Sequence, residues 1–225
     1  MEDSTQVKEK ECVVIANGRF PSAELPLRLL KEAKTIIACD GAVKTLYEKG
    51  IHPDAIVGDL DSIPADLHKR YADRIHHVED QEINDLTKSV RFAHAQGYRE
   101  VLILGATGLR EDHTLGNISL LMDYAPLFKR VEMLSDYGLF TPILKTTTFA
   151  SYPGQQISIF VLYPEGEIST EGLRWPIYQR KFTSWWQGTL NEALGNQFTV
   201  TLSPDCRVII YREAPYTKSL CGEVY

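Results

Sequence analysis

The feature that most constrains the fold of this chain is the alternation of short apolar runs with helix-like stretches over its first two-thirds. Residues 101–104 form a continuous apolar run, which is typical of a strand buried on both faces of a parallel sheet. Residues 85–96 carry their apolar side chains at helical spacing, with Asn84 placed to cap the helix and Gly97 to end it. Repeated alternation of this kind predicts an α/β fold, in which helices cover a mostly parallel sheet in three layers.

The last third of the chain has a different pattern. Strand-like runs rich in β-branched and aromatic residues occur at 156–162, 198–202 and 207–212, and turn sequences such as Tyr152-Pro153-Gly154 separate them. No amphipathic helix is evident there, so we predict an all-β sandwich. The sequence therefore indicates a polar tail over 1–11, an α/β domain over 12–145, a β-sandwich domain over 146–213 and a loose tail over 214–225.

Composition excludes several classes of partner. The formal net charge of −6 argues against non-specific nucleic-acid binding, which needs Lys and Arg against phosphate. The apolar runs are too short to span a bilayer, and the polar first eleven residues do not resemble a signal peptide. Four cysteines without a C-x-x-C pair favour free thiols over structural zinc. We expect a cytoplasmic protein without a membrane or nucleic-acid partner.

Glycines and polar side chains follow the predicted strands where each strand ends. The four turns are Asn17-Gly18, Asp40-Gly41, Gly58-Asp59-Leu60-Asp61-Ser62 and the stretch from Gly105 to Arg110. We call these turns the strand-end rim. In an open α/β sheet the carboxyl ends of the strands border the ligand crevice, and glycine lets the backbone approach a ligand closely. The strand-end rim is therefore the predicted binding site.

Asp59 and Asp61 are the most informative pair on the strand-end rim. In an extended segment, residues two apart point to the same side, so the two carboxylates repel unless a cation lies near them. Oxygen ligands without nearby Cys or His suit Mg²⁺. Asp85 begins a helix soon afterwards and either joins this site or complements the helix dipole. Asp40 is either a further ligand-side acid or part of an ordinary Asp-Gly turn.

The last turn of the strand-end rim leaves several roles open. It lacks the Gly-Lys-Ser/Thr ending of a Walker A loop, so a plain strand-to-helix turn is an alternative to a phosphate loop. Arg110 either binds phosphate as a planar fork or pairs with Glu111. Asp112 and His113 either orient a nucleophile or metal-bound water, or cap a helix that starts at Thr114.

Three tryptophans fall in the predicted β domain, namely Trp175, Trp185 and Trp186. Large aromatic side chains in such a domain are usually part of its core. A Trp at a rim can instead stack on a flat cationic ligand. Both interpretations are open from the residues alone.

Taken in order, these motifs resemble the thiamine pyrophosphokinase family. The quoted segments are Asn17-Gly18, residues 38–42, residues 58–62, Asp80-Gln81, residues 84–88, residues 105–113 with Asn117, residues 172–175 and residues 188–192. The resemblance runs from about residue 12 to 212. The Gly-Asp-x-Asp-Ser motif followed by Asn-Asp-Leu-x-Lys is specific in combination.

The resemblance implies an enzyme that moves pyrophosphate from ATP to the hydroxyl of thiamine with Mg²⁺, working as a homodimer with sites between subunits. It implies Mg²⁺ and triphosphate ligation by Asp59, Asp61 and Asp85, with Arg110 and Asp112 also catalytic. The ATP side would comprise Asn17, Asp40, Gly41, Gly105, Thr107 and His113. Gln81 and Asn191 would contact thiamine, and Trp175 from the partner subunit would stack on it.

Four positions depart from the family pattern. Leu109, Leu190, Asn84 and Gly138 stand where a glycine, a serine, a threonine and an asparagine are frequent. The change at Leu190 removes one polar contact of the implied thiamine pocket. Two alternatives stay open: a pyrophosphokinase for another alcohol, such as a hydroxymethyl pterin, and a non-catalytic thiamine or nucleotide sensor. The acidic residues of the strand-end rim disfavour the sensor.

Overall fold

The computed structural model describes residues 12–163, 165–204 and 206–214, and the chain divides into two compact units between Asp136 and Tyr137. This division comes earlier than the boundary at 145 that the sequence suggested, because residues 138–143 pair with the last strand of the second unit. The predicted tails at 1–11 and 214–225 lie outside the described residues, except for Ala214. Ala214 is buried and its N–H donates to the carbonyl of Tyr137.

The first unit alternates strands and helices. Its strands are β1 (Cys12–Ile15), β2 (Ile36–Cys39), β3 (Ala55–Gly58), β4 (Ile75–His77), β5 (Glu100–Leu104) and β6 (Arg130–Leu134). Its helices are α1 (Glu24–Lys31), α2 (Val43–Glu48), α3 (Ala65–Arg70), α4 (Asp85–Ala95) and α5 (Glu111–Tyr124), with 3₁₀ turns at Asp40–Ala42 and Ala125–Leu127. The strands pair in parallel in the order β6-β5-β1-β2-β3-β4, which confirms the predicted α/β class.

Burial explains the uninterrupted apolar strands of this unit. Every residue of β1, β2 and β3 is buried, and α4 packs against all three of these strands. Helix α5 packs against β6 and α4. The parallel arrangement brings the carboxyl ends of the strands, and hence the strand-end rim, to one edge. None of the helices in the described ranges combines the length and apolar content needed to cross a bilayer.

Helix α5 begins at Glu111 rather than at Thr114 as the sequence suggested. Arg110 is extended, at φ −64° and ψ 132°, and occupies the N-cap position. The amide and hydroxyl of Thr114 both donate to the carbonyl of Arg110, which places Thr114 inside the first turn. Asp112 and His113 are therefore helical residues, and the interpretation of them as caps is wrong.

The second unit is a β-sandwich, as predicted. Its strands are β7 (Gly138–Ile143), β8 (Thr147–Ala150), β9 (Gln156–Tyr163), β10 (Ile168–Glu171), β11 (Asn191–Glu192), β12 (Gln197–Leu202) and β13 (Arg207–Glu213). The order β11-β9-β13-β7 forms one antiparallel layer and β10-β12-β8 the other. Residues of both layers, including Ile159, Phe198 and Val208, share one buried core.

The tryptophans are not part of that core. Trp175 is 55% exposed, Trp186 is 73% exposed, and Trp185, which begins a 3₁₀ turn over Trp185–Gly188, is 40% exposed. The core interpretation of these residues is therefore wrong. We call segments 173–175 and 185–194, which carry the three tryptophans and the end strand β11, the Trp175 edge.

Candidate active site

A cavity of about 580 Å³ opens at the strand-end rim of the first unit. Its lining comes from the turns after β1, β2, β3 and β5 and from the first turns of α4 and α5. The predicted site residues that line it are Asn17, Asp40, Asp59, Gln81, Asp85, Thr107, Arg110 and His113. The fold thus brings together side chains that are up to about a hundred residues apart in the chain.

Asp40 is the buried acid of this cavity, with 2% of its surface exposed. Its two carboxylate oxygens accept the N–H groups of Gly41 and Leu60. A side chain at Gly58 would press on the Asp40 carboxyl group, since an added Cβ would lie 2.6 Å from its Cγ. Burial raises the pKa of Asp40 to about 6, and the charge of Asp85 adds to this rise against the two backbone hydrogen bonds.

Asp59 and Asp61 converge on Asp40 through a turn. Leu60 has a φ of 72°, in the left-handed region that leucine rarely occupies, so the predicted extended conformation of this segment is wrong. Carboxylate oxygens of Asp40, Asp59 and Asp61 nevertheless lie within 4.8 Å of one another. The N–H of Leu60 donates to Asp40 Oδ2 at 2.9 Å. The strained backbone of Leu60 thus lies at the point where the three acids meet.

We call Asp40, Asp59, Asp61 and Asp85 the acidic cluster, and Lys88 is the cation that contacts two of its members. Its Nζ lies 3.0 Å from Asp85 Oδ1 and 3.6 Å from Asp59 Oδ2, and its side chain is 2% exposed. Burial alone would lower the pKa of Lys88, but the hydrogen bond and charge of Asp85, with those of Asp59, raise it. Lys88 is therefore a charged, paired ammonium group beneath the acids.

Lys88 is the functional residue that our reasoning from individual residues missed. The visible indication was its spacing of three from Asp85, which places both side chains on one face of α4. Asp85 is engaged by this lysine, while the mutually close trio is Asp40, Asp59 and Asp61. The predicted ligand set of Asp59, Asp61 and Asp85 and the observed trio share their first two members.

Gln81 contacts the acidic cluster rather than standing apart from it. Its Nε2 donates to Asp59 Oδ2 at 3.2 Å, and this hydrogen bond lowers the pKa of the Asp59 carboxyl group. Asp59 Oδ2 thus faces both Gln81 and Lys88. Asp59 Oδ1 accepts a long contact of 3.5 Å from the N–H of Asp61.

Amide side chains fix the two helices that border the cavity. Asn84 caps α4 as predicted, since its Oδ1 accepts the N–H of Thr87 at 2.9 Å. The Asn84 Nδ2 donates to Asn117 Oδ1 on α5, and Asn117 Nδ2 donates to the carbonyl of Ala106. This chain of bonds ties α4, α5 and the turn after β5 to one another.

Arg110 and Asp112 form an exposed pair at the mouth of the cavity. Arg110 Nε and Nη2 donate to the two oxygens of Asp112 at 3.1 and 2.6 Å, so its partner is Asp112 and not Glu111. These bonds hold the pKa of Asp112 below its usual range. The Asp112 side chain therefore stays a bound anion, whereas Arg110 lines the cavity beside His113.

Two close approaches explain the glycines of the strand-end rim. An added Cβ at Gly41 would collide with the side-chain amide of Asn17, so the two residues of the predicted ATP side lie in contact. Gly105 has a φ of 64°, and an added Cβ there would lie 2.7 Å from the carbonyl of Ala16. Thr107 accepts the N–H of Arg19 through its carbonyl at 2.8 Å.

The residues of the predicted thiamine side in the second unit are arranged around Trp175. Asn191 is buried and holds the Trp175 backbone from both sides, with its Nδ2 donating to the carbonyl at 2.7 Å and its Oδ1 accepting the N–H. Both ends of the Asn191 amide are therefore used to position Trp175. The Arg174 guanidinium lies 5.4 Å from the Trp175 ring centre and pairs with Glu192.

The donors at the cavity fit a hard divalent cation. Three carboxylates within 4.8 Å concentrate negative charge around oxygen atoms. Burial is the main cause of the raised pKa of Asp40, and the charges of Asp85 and Asp59 add to it. Carboxylate oxygens and water are the ligands Mg²⁺ takes in phosphate-handling sites. The cluster can therefore hold a cation that also contacts phosphate oxygens.

Comparison with known proteins agrees with this geometry. The family description "Thiamin pyrophosphokinase, catalytic domain" matches residues 27–134, and "Thiamin pyrophosphokinase, substrate-binding domain" matches residues 138–211. Thiamine pyrophosphokinase 1 of Oryza sativa subsp. japonica is 29% identical over 194 residues, covering 72% of each chain. The residue ranges of the two family descriptions correspond to the two units of the structure.

Solved structures share the fold. A thiamin pyrophosphokinase from Geobacillus thermodenitrificans has a TM-score of 0.74 at 22% identity, covering 92% of this chain and 98% of its own. The enzyme from Candida albicans has a TM-score of 0.76 at 19% identity, covering 91% and 89%. Since the two family descriptions together account for most of the chain, this protein belongs to the thiamin pyrophosphokinase family.

Proposed function

We propose that the protein is an ATP-dependent thiamine pyrophosphokinase that produces thiamine diphosphate and AMP. The observation that carries this proposal is that Asp40, Asp59 and Asp85 line one cavity, with Asp61 clustered against Asp40 and Asp59, in a chain of this family. In the reaction, the thiamine hydroxyl oxygen forms a bond to the β-phosphorus of ATP. The bond from that phosphorus to the bridging oxygen of the α-phosphate breaks, AMP leaves, and the hydroxyl proton is released.

Asp59 and Asp61 are the proposed ligands of Mg²⁺, with Asp85 as the third and Asp40 beside them. When bound there, Mg²⁺ would neutralise charge on the phosphate oxygens. Gln81 keeps Asp59 oriented by its hydrogen bond at 3.2 Å. Transfer of this type depends on positioning and charge neutralisation more than on covalent chemistry by the protein.

Arg110 is the proposed phosphate contact at the cavity mouth. Asp112 occupies one edge of its guanidinium, through Nε and Nη2, which leaves the Nη1 edge able to donate to an anion. The pair would thus aim Arg110 at the transferring group. Because these bonds lower the pKa of Asp112, its carboxylate is a weak proton acceptor, and we do not assign it the role of general base.

Thiamine is the proposed acceptor because a cationic ring suits an aromatic face. Trp175 offers such a face, and the clamp by Asn191 fixes its backbone. We further propose a homodimer in which Trp175 comes from the partner subunit, on the strength of the family resemblance, and a cytoplasmic location, on the strength of the composition.

The direct test is to incubate the purified protein with ATP, Mg²⁺ and thiamine and to quantify AMP and thiamine diphosphate by chromatography. We expect equal amounts of both products and none after addition of a chelator. AMP formed only with a hydroxymethyl pterin would preserve the phosphate chemistry and overturn the assigned acceptor. No AMP with any alcohol would overturn the proposed activity and favour a sensor.

A further inference from the structure

The acidic cluster already contains a cation of its own. Lys88 and Arg110 are the lysine and arginine side chains among the described residues that line the cavity. Arg110 is 74% exposed and bound to Asp112, whereas the side chain of Lys88 is 2% exposed and faces Asp85 and Asp59. Lys88 is therefore the only buried positive charge in this described lining.

A buried ammonium group is unfavourable unless it is paired, and carboxylates that share a site repel one another. In the metal-free protein Lys88 offsets both effects, because its buried ammonium group lies 3.0 Å from Asp85 Oδ1 and 3.6 Å from Asp59 Oδ2. The same charge must oppose any second cation that binds those carboxylates, because like charges repel strongly at such distances.

We propose that Lys88 is the resident counter-ion of the acidic cluster, which balances Asp59 and Asp85 and weakens their binding of a free divalent cation. The metal then enters together with the nucleotide, whose phosphates bring negative charge to Lys88. Metal ligation by Asp85 Oδ1 then requires Lys88 to turn from this oxygen toward the phosphates. This inference rests on the cation site of the proposed function and adds a positioning residue to it.

The test measures binding of free Mn²⁺, as a paramagnetic probe for Mg²⁺, to the full-length protein without nucleotide. In Lys88→Met, which keeps the length of the side chain but not its charge, we expect Mn²⁺ to bind at least about tenfold more tightly. Lys88→Arg retains the charge and is expected to bind as the wild type does.

Lys129→Met is the matched control. Lys129 pairs with Glu100 at 3.1 Å, similar to the 3.0 Å of the Lys88–Asp85 pair. The Lys129 side chain is 70% exposed, and this pair lies where β5 and β6 begin, at the ends of these strands that face away from the strand-end rim. We expect this variant to leave Mn²⁺ affinity unchanged. Unchanged or weaker Mn²⁺ binding by Lys88→Met would overturn the proposal.

Thermal stability in chelator gives a second readout. Lys88→Met should lose stability without metal and regain more of it on addition of Mn²⁺ than the wild type gains. The double variant Lys88→Met/Asp85→Asn restores the net charge of the cluster and should recover metal-free stability. If Lys88→Met cannot be purified without metal, the double variant tests the proposal instead. A double variant that folds without metal would support the role of the Lys88 charge. A double variant that also fails to fold would show that Lys88 acts through packing and would overturn the proposal.

These measurements separate two failures. Absence of Mn²⁺ binding by the wild type and by Lys88→Met alike, both without nucleotide and with ATP, would contradict the cation site and thus the proposed function. Mn²⁺ binding by the wild type with no change in Lys88→Met would contradict only the role of Lys88. Neither readout depends on formation of AMP or thiamine diphosphate.

Discussion

The strand-end rim of the first unit and the Trp175 edge of the second unit are built in opposite ways. At the cavity of the strand-end rim, Asp40 and Lys88 are buried charged groups: backbone N–H groups donate to Asp40, and Lys88 is paired with Asp85 and Asp59. On the Trp175 edge, large apolar side chains such as Trp175 and Leu190 are exposed, while the buried Asn191 fixes the backbone beneath them.

The difference shows how each region prepares for a ligand. The rim keeps charges at fixed positions in a partly water-excluded place, where they act strongly on phosphate and metal but oppose folding. The edge keeps an aromatic surface in place at little electrostatic cost. Substitutions on the rim should therefore change turnover and pH dependence, and substitutions on the edge should change affinity or backbone strain.

The largest effect is expected from Asp61→Asn. Loss of one carboxylate from the cluster should lower turnover at least about a hundredfold, the size seen when a charge-stabilising group of an active site is removed. Thermal unfolding should change little, because Asp61 is exposed. Product formation measured by chromatography checks this, with Asp73→Asn, an exposed acid of the α3–β4 connection, as the control. Turnover at the wild-type level in Asp61→Asn would remove it from the metal site.

Asp40 should give the rim a characteristic pH dependence of stability. Its pKa is about 6 in the folded protein against an ordinary value of 3.8, so the folded state binds the proton more tightly than the unfolded state. The Asp40 contribution to the free energy of unfolding therefore falls as pH rises from about 4 to about 6 and is constant above that window.

The measurement compares wild type with Asp40→Asn by urea unfolding in chelator at pH 4 to 7.5. The substitution also changes hydrogen bonds, which adds a difference in the free energy of unfolding that does not depend on pH. Beyond this constant, the free energy of unfolding of Asp40→Asn should rise relative to that of the wild type by about 2 kcal/mol from the lowest to the highest pH. A constant difference would contradict the raised pKa. Addition of Mg²⁺ at the upper pH should reduce the difference by binding the wild-type carboxylate cluster.

On the Trp175 edge, Trp175→Ala should raise KM for thiamine about tenfold while turnover at saturating thiamine stays near the wild-type value. An aromatic face on a desolvated cation contributes about 1–2 kcal/mol, and such binding is the same in the ground and transition states. Trp186→Ala removes another tryptophan of the edge, which is 73% exposed, and should leave KM unchanged. Equal effects of the two substitutions would deny Trp175 a specific role.

The smallest effect is expected at Leu190. Its φ of 59° lies in the left-handed region although its side chain is 76% exposed, so the residue keeps the strain without gaining burial. Leu190→Asn should raise the free energy of unfolding by about 1 kcal/mol in urea titrations. Leu194→Asn, at an exposed position without positive φ, should stay within about 0.5 kcal/mol of wild type.

Sequence reasoning succeeded where one local rule governs a residue. The apolar runs of β1, β2 and β5 are buried strands, and Asn84 caps α4. Asp40 and Asp59, which follow β2 and β3, line one cavity because parallel strands place their carboxyl ends together. It failed where tertiary contacts decide. The residue at which α5 begins and the exposure of the tryptophans depend on contacts with segments distant in the chain. The pattern of residue types along the chain does not encode those contacts.

Lys88 illustrates the limit most clearly. As a residue in the first turns of an amphipathic helix, it could have been a surface lysine. Its burial follows from the packing of α4 against β1, β2 and β3, which places the ammonium between acids from two separate segments. Only that arrangement distinguishes a counter-ion from a solvated side chain.

The sequence by itself determined the two-part architecture, the strand-end position of the acids and the family, because hydrophobic period, turn residues and motif order are properties of the chain. The tertiary structure decided which acids meet, which oxygens remain accessible and which charges are buried. The left-handed turn at Leu60 places Asp59 and Asp61 close to Asp40, whereas Asp85 forms an ion pair with Lys88. Distances between carboxylates depend on packing and backbone conformation, and charge interactions depend steeply on those distances.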